Sequence, residues 1–149
     1  DSPVGDRVVI VLAGDPGPEQ SDVAPKKKRA KSTSPTQRTL AKCRELAWPV
    51  QVVERWNPHA RVRVDLFGVI DLVVITPVGI LGIQACAGDS HAARRDKILA
   101  EPRMKLWLAA GGLLELWSWR KGGARGARKL WTLRIESFAA SDYVDRDAA

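Results

Sequence analysis

Two apolar runs, Gly68-Val-Ile-Asp-Leu-Val-Val-Ile75 and Gly79-Ile-Leu-Gly-Ile-Gln-Ala-Cys86, flank the short segment Thr76-Pro77-Val78-Gly79. Branched aliphatic residues on either side of a Pro and a Gly read as two strands joined by a tight turn. Centring that turn between Pro77 and Val78 sets Ile75 against Ile80, Val73 against Gly82 and Asp71 against Gln84. With a side-chain period of two, Cys86 shares their face. A carboxylate inside a buried apolar strand costs several kcal/mol unless it is paired or bound to a metal. Asp71 therefore needs compensation, and a metal ion is a natural candidate.

The rest of the chain sets bounds on what surrounds that pair. At 149 residues, 45% of them hydrophobic, the sequence supports one folded domain with some tail. Its formal charge of +7 favours a polyanionic partner, nucleic acid before an anionic membrane surface. No apolar run approaches the ~20 residues that span a bilayer, so no membrane insertion is expected. Val8–Gly14 is too short, and its acidic flank does not suit a signal peptide. Cys43 and Cys86 form no zinc-binding or redox motif, which fits free thiols in a reducing cytoplasm. The chain begins with Asp rather than Met, so a missing or processed start is expected.

Composition divides the sequence into three parts. Residues 1–33 contain a short strand around Val8–Leu12 and then a Pro-, Gly- and Ser-rich linker. Within the linker, Pro25-Lys-Lys-Lys-Arg-Ala-Lys31 reads as a basic arm adding nonspecific phosphate affinity; the alternative is a nuclear localisation signal. Residues 34–138 form the folded domain, and 139–149 a frayed acidic tail. Ser34-Pro35-Thr36-Gln37 starts a helix, with Ser at the N-cap, and Leu40, Cys43 and Ala47 on one face. Val50–Trp56 reads as a strand, and Asn57–Val64 as a loop or ragged hairpin end carrying Arg61 and Arg63. Asp89-Ser90 caps a helix from His91 to about Ala100. Pro102 opens another that Gly111-Gly112 ends. Leu113–Arg120 and Leu130–Ile135 alternate as strands around a glycine-rich loop. The expected fold is α/β (α+β), a mixed sheet of about five strands flanked by helices.

This order, with Asp71 on one strand and Gln84-Ala85-Cys86 on the next, resembles the restriction-endonuclease-like PD-(D/E)XK nuclease superfamily, and within it phage and archaeal-type Holliday junction resolvases. Glu54-Arg55-Trp56 and Asp65-Leu66-Phe67-Gly68 flank the motif, and the resemblance covers roughly residues 36–136. It implies a restriction-endonuclease-like fold and a Mg²⁺-dependent endonuclease, with Mn²⁺ as a substitute. The substrate it implies is branched or junction DNA, cut during recombination by a two-fold homodimer in the cytoplasm of a phage or bacterial host. Asp71, Gln84 and the Ala85 carbonyl would then hold the metal, which activates a water and stabilises the pentavalent phosphate.

Three positions depart from the superfamily pattern: Ile70 stands where Pro usually precedes the Asp, which is harmless, and the other two bear on the chemistry. Gln84 stands where an acid is usual, and Cys86 where a lysine is usual. A glutamine amide oxygen can bind Mg²⁺ but brings no charge, so another carboxylate is needed. Glu54 is the first choice, Asp65 the second and Glu45 the third. Asp65 alternatively organises the Arg-rich loop. The missing cation falls to Lys97, with Arg94 and His91 as alternatives, although His91 also reads as a surface residue at a helix start. The catalytic set is thus Glu54, Asp71, Gln84 and Lys97.

Arg61, Arg63, Arg94 and Arg95, together with Arg120, Lys121, Arg125, Arg128 and Lys129 of the glycine-rich loop, are the candidate DNA contacts. That loop carries five basic residues and no acid between Arg120 and Lys129, and its glycines allow it to follow a phosphate backbone. Trp107, Trp117, Trp119 and Trp131 read as core or sheet-face residues. The competing reading is a nuclease-fold module that has lost its chemistry and only binds nucleic acid or acts as a subunit.

Overall fold

A computed structural model describes residues 5–11, 33–123, 125–126 and 129–143. The basic segment Pro25–Lys31 and Arg128 lie outside the described residues. In chain order the elements are β1 (Asp6–Val11), α1 (Pro35–Glu45), β2 (Val50–Val52), β3 (Arg55–Asn57), β4 (Val62–Val64), β5 (Leu72–Thr76) and β6 (Gly79–Ala87). They continue as α2 (His91–Ala100), α3 (Pro102–Ala109), β7 (Leu113–Gly122) and β8 (Leu130–Ser137).

The register anticipated from the Thr76–Gly79 turn forms: Ile75 pairs with Ile80 and Val73 with Gly82. Thr76 closes the turn by donating its hydroxyl to the Gly79 carbonyl at 2.9 Å and accepting from the Val78 N–H at 3.3 Å. Asp71 lies one residue before β5, yet its N–H still donates to the Ile83 carbonyl, which holds it opposite Gln84. A Cβ at Gly82 would come within 2.7 Å of the Ile70 Cδ1, so a larger residue there would displace the Ile70 side chain.

The sheet is mixed and six-stranded, in the order β1-β8-β7-β6-β5-β2, one strand more than the sequence led us to expect. Only β6 and β7 run parallel, joined through α2 and α3, while β1 pairs antiparallel with β8. The expected strand Val50–Trp56 breaks in two. The Asp71 carbonyl accepts from both the Val53 and Glu54 N–H groups, at 2.9 and 3.3 Å. That doubled contact bends the chain away after β2, and β3 pairs with β4 in a separate two-stranded ribbon. Asn57–Val64, expected as a loop or ragged hairpin end, is the hairpin of that ribbon, its tip ordered by the Asn57 side chain accepting from the His59 and Ala60 N–H groups.

Each face of the sheet buries its own core. On one side Leu40 and Cys43 of α1 meet Leu72, Val74, Leu81, Ile83, Trp117, Trp119, Leu133 and Ile135. On the other, Ile98, Leu99 and Met104 of α2 and α3 pack with Ile70, Cys86, Leu114, Leu116 and Phe138. The α1 start is as expected, with the Ser34 hydroxyl accepting from the Gln37 N–H at 3.2 Å. Its buried face differs: Thr39 is inside, whereas Ala47 lies past the helix end at φ 57° and is exposed. The segment after Phe138 does not fray through residue 143. A short 3₁₀ turn, Ala140–Tyr143, buries Tyr143, whose hydroxyl donates to the Ile98 carbonyl at 2.9 Å. No helix among the described residues is long and apolar enough to cross a membrane.

Candidate metal centre

Three carboxylates converge where the ribbon leaves the sheet. Each of Glu54, Asp65 and Asp71 offers an oxygen within 4.8 Å of the other two. Glu54 precedes β3 and Asp65 follows β4, so the two ends of one hairpin deliver them. Asp71 comes from the sheet itself and is only 4% exposed. Its Oδ2 accepts from the Gln84 side-chain amide at 2.7 Å and from the Ala85 N–H at 2.9 Å. These bonds fix the carboxylate without neutralising it. Burial first, and then a hydrogen bond shared with Asp65, push the Asp71 carboxyl up to about 8. The Ala85 N–H opposes that rise, and the charges of Asp65 and Glu54 add to it.

Gln84 is 1% exposed and uses its amide nitrogen on Asp71. Its Oε1 is the only buried side-chain oxygen among the described residues without a hydrogen-bond partner. Such an orphan costs about 1–3 kcal/mol unless something donates to it or is ligated by it. Gln84 lines the same cleft as the three carboxylates, a volume of about 500 Å³. Hard oxygen donors with excess negative charge are the ligand set of Mg²⁺, Mn²⁺ or Ca²⁺. The residues present therefore fit a divalent cation.

Cations ring the cleft. Arg63 Nη1 donates to Glu54 at 3.1 Å and Lys97 Nζ to Asp65 at 3.3 Å; Arg63 remains largely solvent-exposed and Lys97 partly so. Arg94 lines the cleft from α2, and Ser34, Pro35 and Thr36 place the N-terminal end of α1 on its wall.

Glu54, Asp71, Gln84, Ala85 and Lys97 thus lie together at one cleft, and Ala85 contributes an N–H toward Asp71. Asp65, the second choice, joins the cluster with its carboxylate, and its carbonyl accepts from the Gly68 N–H in the turn that follows β4 rather than ordering the Arg-rich loop before it. The signal was available in parity. Glu54 and Trp56, and across the hairpin Arg61, Arg63 and Asp65, occupy alternating positions that a strand ribbon brings to one face. Glu45, the third choice, sits in the last turn of α1 beside Lys42 and does not line the cleft.

His91 is not a surface residue: it is 4% exposed. Its Nδ1 lies 2.7 Å from Ser118 Oγ and its Nε2 3.0 Å from Glu136 Oε1. Glu136 also accepts from Arg95 Nε at 2.7 Å, which draws Arg95 away from the cleft. Cys86 lines the cleft from the apolar side, and burial pushes its thiol up to about 11, so it presents no thiolate.

Among the other candidate DNA contacts, Arg61 stands exposed near the hairpin tip. Arg120 and Lys121 line a second cavity of about 410 Å³ with Trp119 and Trp131. Arg125 is exposed, and Lys129 donates to the Gly123 carbonyl at 3.2 Å. Comparison with protein-family models, curated proteins and solved structures finds no match to this chain.

Proposed function

We propose that this protein is a divalent-metal-dependent DNA endonuclease of restriction-endonuclease-like type, acting on branched or junction DNA. The observation that carries the reading is the Glu54–Asp65–Asp71 cluster beside the orphan Gln84 oxygen. A divalent ion bound there would supply a polarised phosphate and a more acidic water. Glu54, Asp65, Asp71 and Gln84 are the residues that would hold it. In this reading Asp65 restores the charge that Gln84 lacks. Lys97, arriving from α2, takes the place of the ammonium that Cys86 cannot provide. Arg63, Arg94 and the positive end of α1 favour a phosphate at the cleft mouth.

One observation favours the second reading, a noncatalytic nucleic-acid-binding module. Lys97 is paired with Asp65, so acting on a substrate would require it to give up that ion pair. Incubating the protein with labelled four-way junction, flap and duplex DNA in Mg²⁺ or Mn²⁺, beside Asp71→Ala, separates the two. Metal-dependent cutting that the variant loses supports the nuclease. Tight DNA binding with no cutting in either metal leaves the binding module.

A further inference from the structure

The β3–β4 ribbon does more than deliver two carboxylates. Its ladder pairs Arg55 with Val64, Trp56 with Arg63 and Asn57 with Val62. Continuing that register sets Glu54 opposite Asp65. Same-face positions recur every second residue, so Trp56 and Arg63 form the next rung outward from the Glu54–Asp65 pair. One such step is roughly 7 Å along the ribbon, from two strand rises, close to the reach of a single unstacked nucleotide.

Trp56 is 58% exposed on a short ribbon outside the main sheet. A small cavity of about 240 Å³ opens at it, lined by Arg55, Trp56, Asn57 and Pro58. The hairpin is cationic: Arg63 stands across the ladder from Trp56 on the same face, and Arg55 and Arg61 are exposed elsewhere on it. An exposed indole across the ladder from Arg63 on a cationic hairpin, one rung from the carboxylate cluster, matches the stacking platform and electrostatic groove of single-strand recognition. Core burial, which accounts for Trp117 and Trp119, does not account for Trp56.

We propose that Trp56 stacks on an unpaired nucleobase adjacent to the phosphate at the carboxylate cluster, selecting DNA with a locally single-stranded nucleotide. This rests on the nuclease reading for the placement of the phosphate. It goes beyond that reading in naming the feature of branched DNA that is recognised. A fully paired duplex keeps its bases stacked and offers Trp56 none.

The test measures binding of fluorescently labelled single-stranded DNA and of blunt duplex DNA of the same sequence, by anisotropy at fixed ionic strength with Ca²⁺. Wild type, Trp56→Ala and Trp56→Phe are compared, with thermal melts confirming that the exposed substitution leaves the fold intact. The expected result is a roughly 5- to 100-fold loss of single-strand affinity in Trp56→Ala. Trp56→Phe should retain most of the affinity, and duplex binding should change less than about twofold.

Equal loss on both DNA forms, or no loss on either, overturns the platform. If the wild type binds duplex and a divalent metal but the Trp56 variants behave as wild type, only this inference fails and the nuclease reading stands. If the wild type binds neither DNA nor metal, both fall, and the exposed hairpin is left to a protein partner.

Discussion

The α2-facing side of the sheet carries two groups of polar residues, and they differ in one respect. Around His91 every polar group has found a partner: Ser118 on one ring nitrogen, Glu136 on the other, and Arg95 closing the carboxylate. Around Asp71 the accounting stays open. Three carboxylates crowd together, Asp71 is pushed up to about 8, and a buried Gln84 oxygen has no partner. Burial is almost the same, 4% exposed for both His91 and Asp71. Degree of burial therefore does not separate a structural polar cluster from a ligand site, whereas satisfaction does. A closed network holds elements together, here α2 to β7 and β8, and an open one retains binding capacity for something else.

The strongest way to break this contrast is to neutralise each centre in turn. Asp71→Asn keeps the shape and leaves an oxygen to accept from Gln84 and Ala85, but removes the charge. DNA cleavage in Mg²⁺ should fall by about a thousandfold or more, as for loss of a principal metal ligand and its transition-state stabilisation. The melting temperature in metal-free buffer should not fall. A variant that still cuts would show the cluster to be as structural as its neighbour.

His91→Ala is the converse. It leaves Ser118 and Glu136 partly unpaired inside the fold and should destabilise by about 2–3 kcal/mol in urea unfolding. Divalent-metal affinity should stay within about twofold of wild type. Loss of metal binding in a still-folded His91→Ala would merge the two groups into one site.

Lys97→Met sharpens the account inside the open cluster. It removes the cation paired with Asp65, so metal should bind as tightly or more tightly, while turnover falls roughly 10- to 100-fold. Joint loss of both properties would mean that Lys97 holds the site together rather than acting on substrate.

The pH dependence gives a smaller effect with a definite sign. Asp71 keeps its proton up to about 8 when folded, against an ordinary 3.8. Between those values the folded chain binds more protons than the unfolded one, so this group's contribution to stability is fully present below the lower value. It is lost as pH rises toward the upper one. Urea midpoints in metal-free buffer should therefore decline from pH 5 to pH 8. Saturating Mn²⁺ should reverse that trend and Asp71→Asn abolish it. Glu45→Gln, outside the cleft, should change none of these readouts.

Much of this was legible where local rules act alone. Alternation around Thr76–Gly79 sets the strand register, and with it the Asp71–Gln84 pairing. Ser34 and Pro35 mark a helix start, and Gly111-Gly112 a helix end. The break between Val52 and Arg55 was not legible, because it arises from the Asp71 carbonyl accepting two N–H groups from a distant segment. Alternation and the hairpin end at Asn57–Val64 were legible, but without that break they could not be assigned to a separate ribbon that sets Glu54 opposite Asp65 and exposes Trp56. His91 was misread for the same kind of reason. Its burial depends on Ser118 and Glu136, which are 27 and 45 residues away, and no helix-start pattern encodes them.

The most direct test of the central claim is calorimetric titration of the protein with Mn²⁺ near pH 7 in two buffers of different ionisation enthalpy. Wild type is compared with Asp71→Asn. If Asp71 holds a proton where a metal would sit, about one ion should bind per chain. Its binding should release close to one proton, seen as a buffer-dependent heat. Asp71→Asn should lose the proton release and at least tenfold in affinity. No binding at millimolar Mn²⁺, or binding with the same heat and affinity in Asp71→Asn, would contradict the assignment.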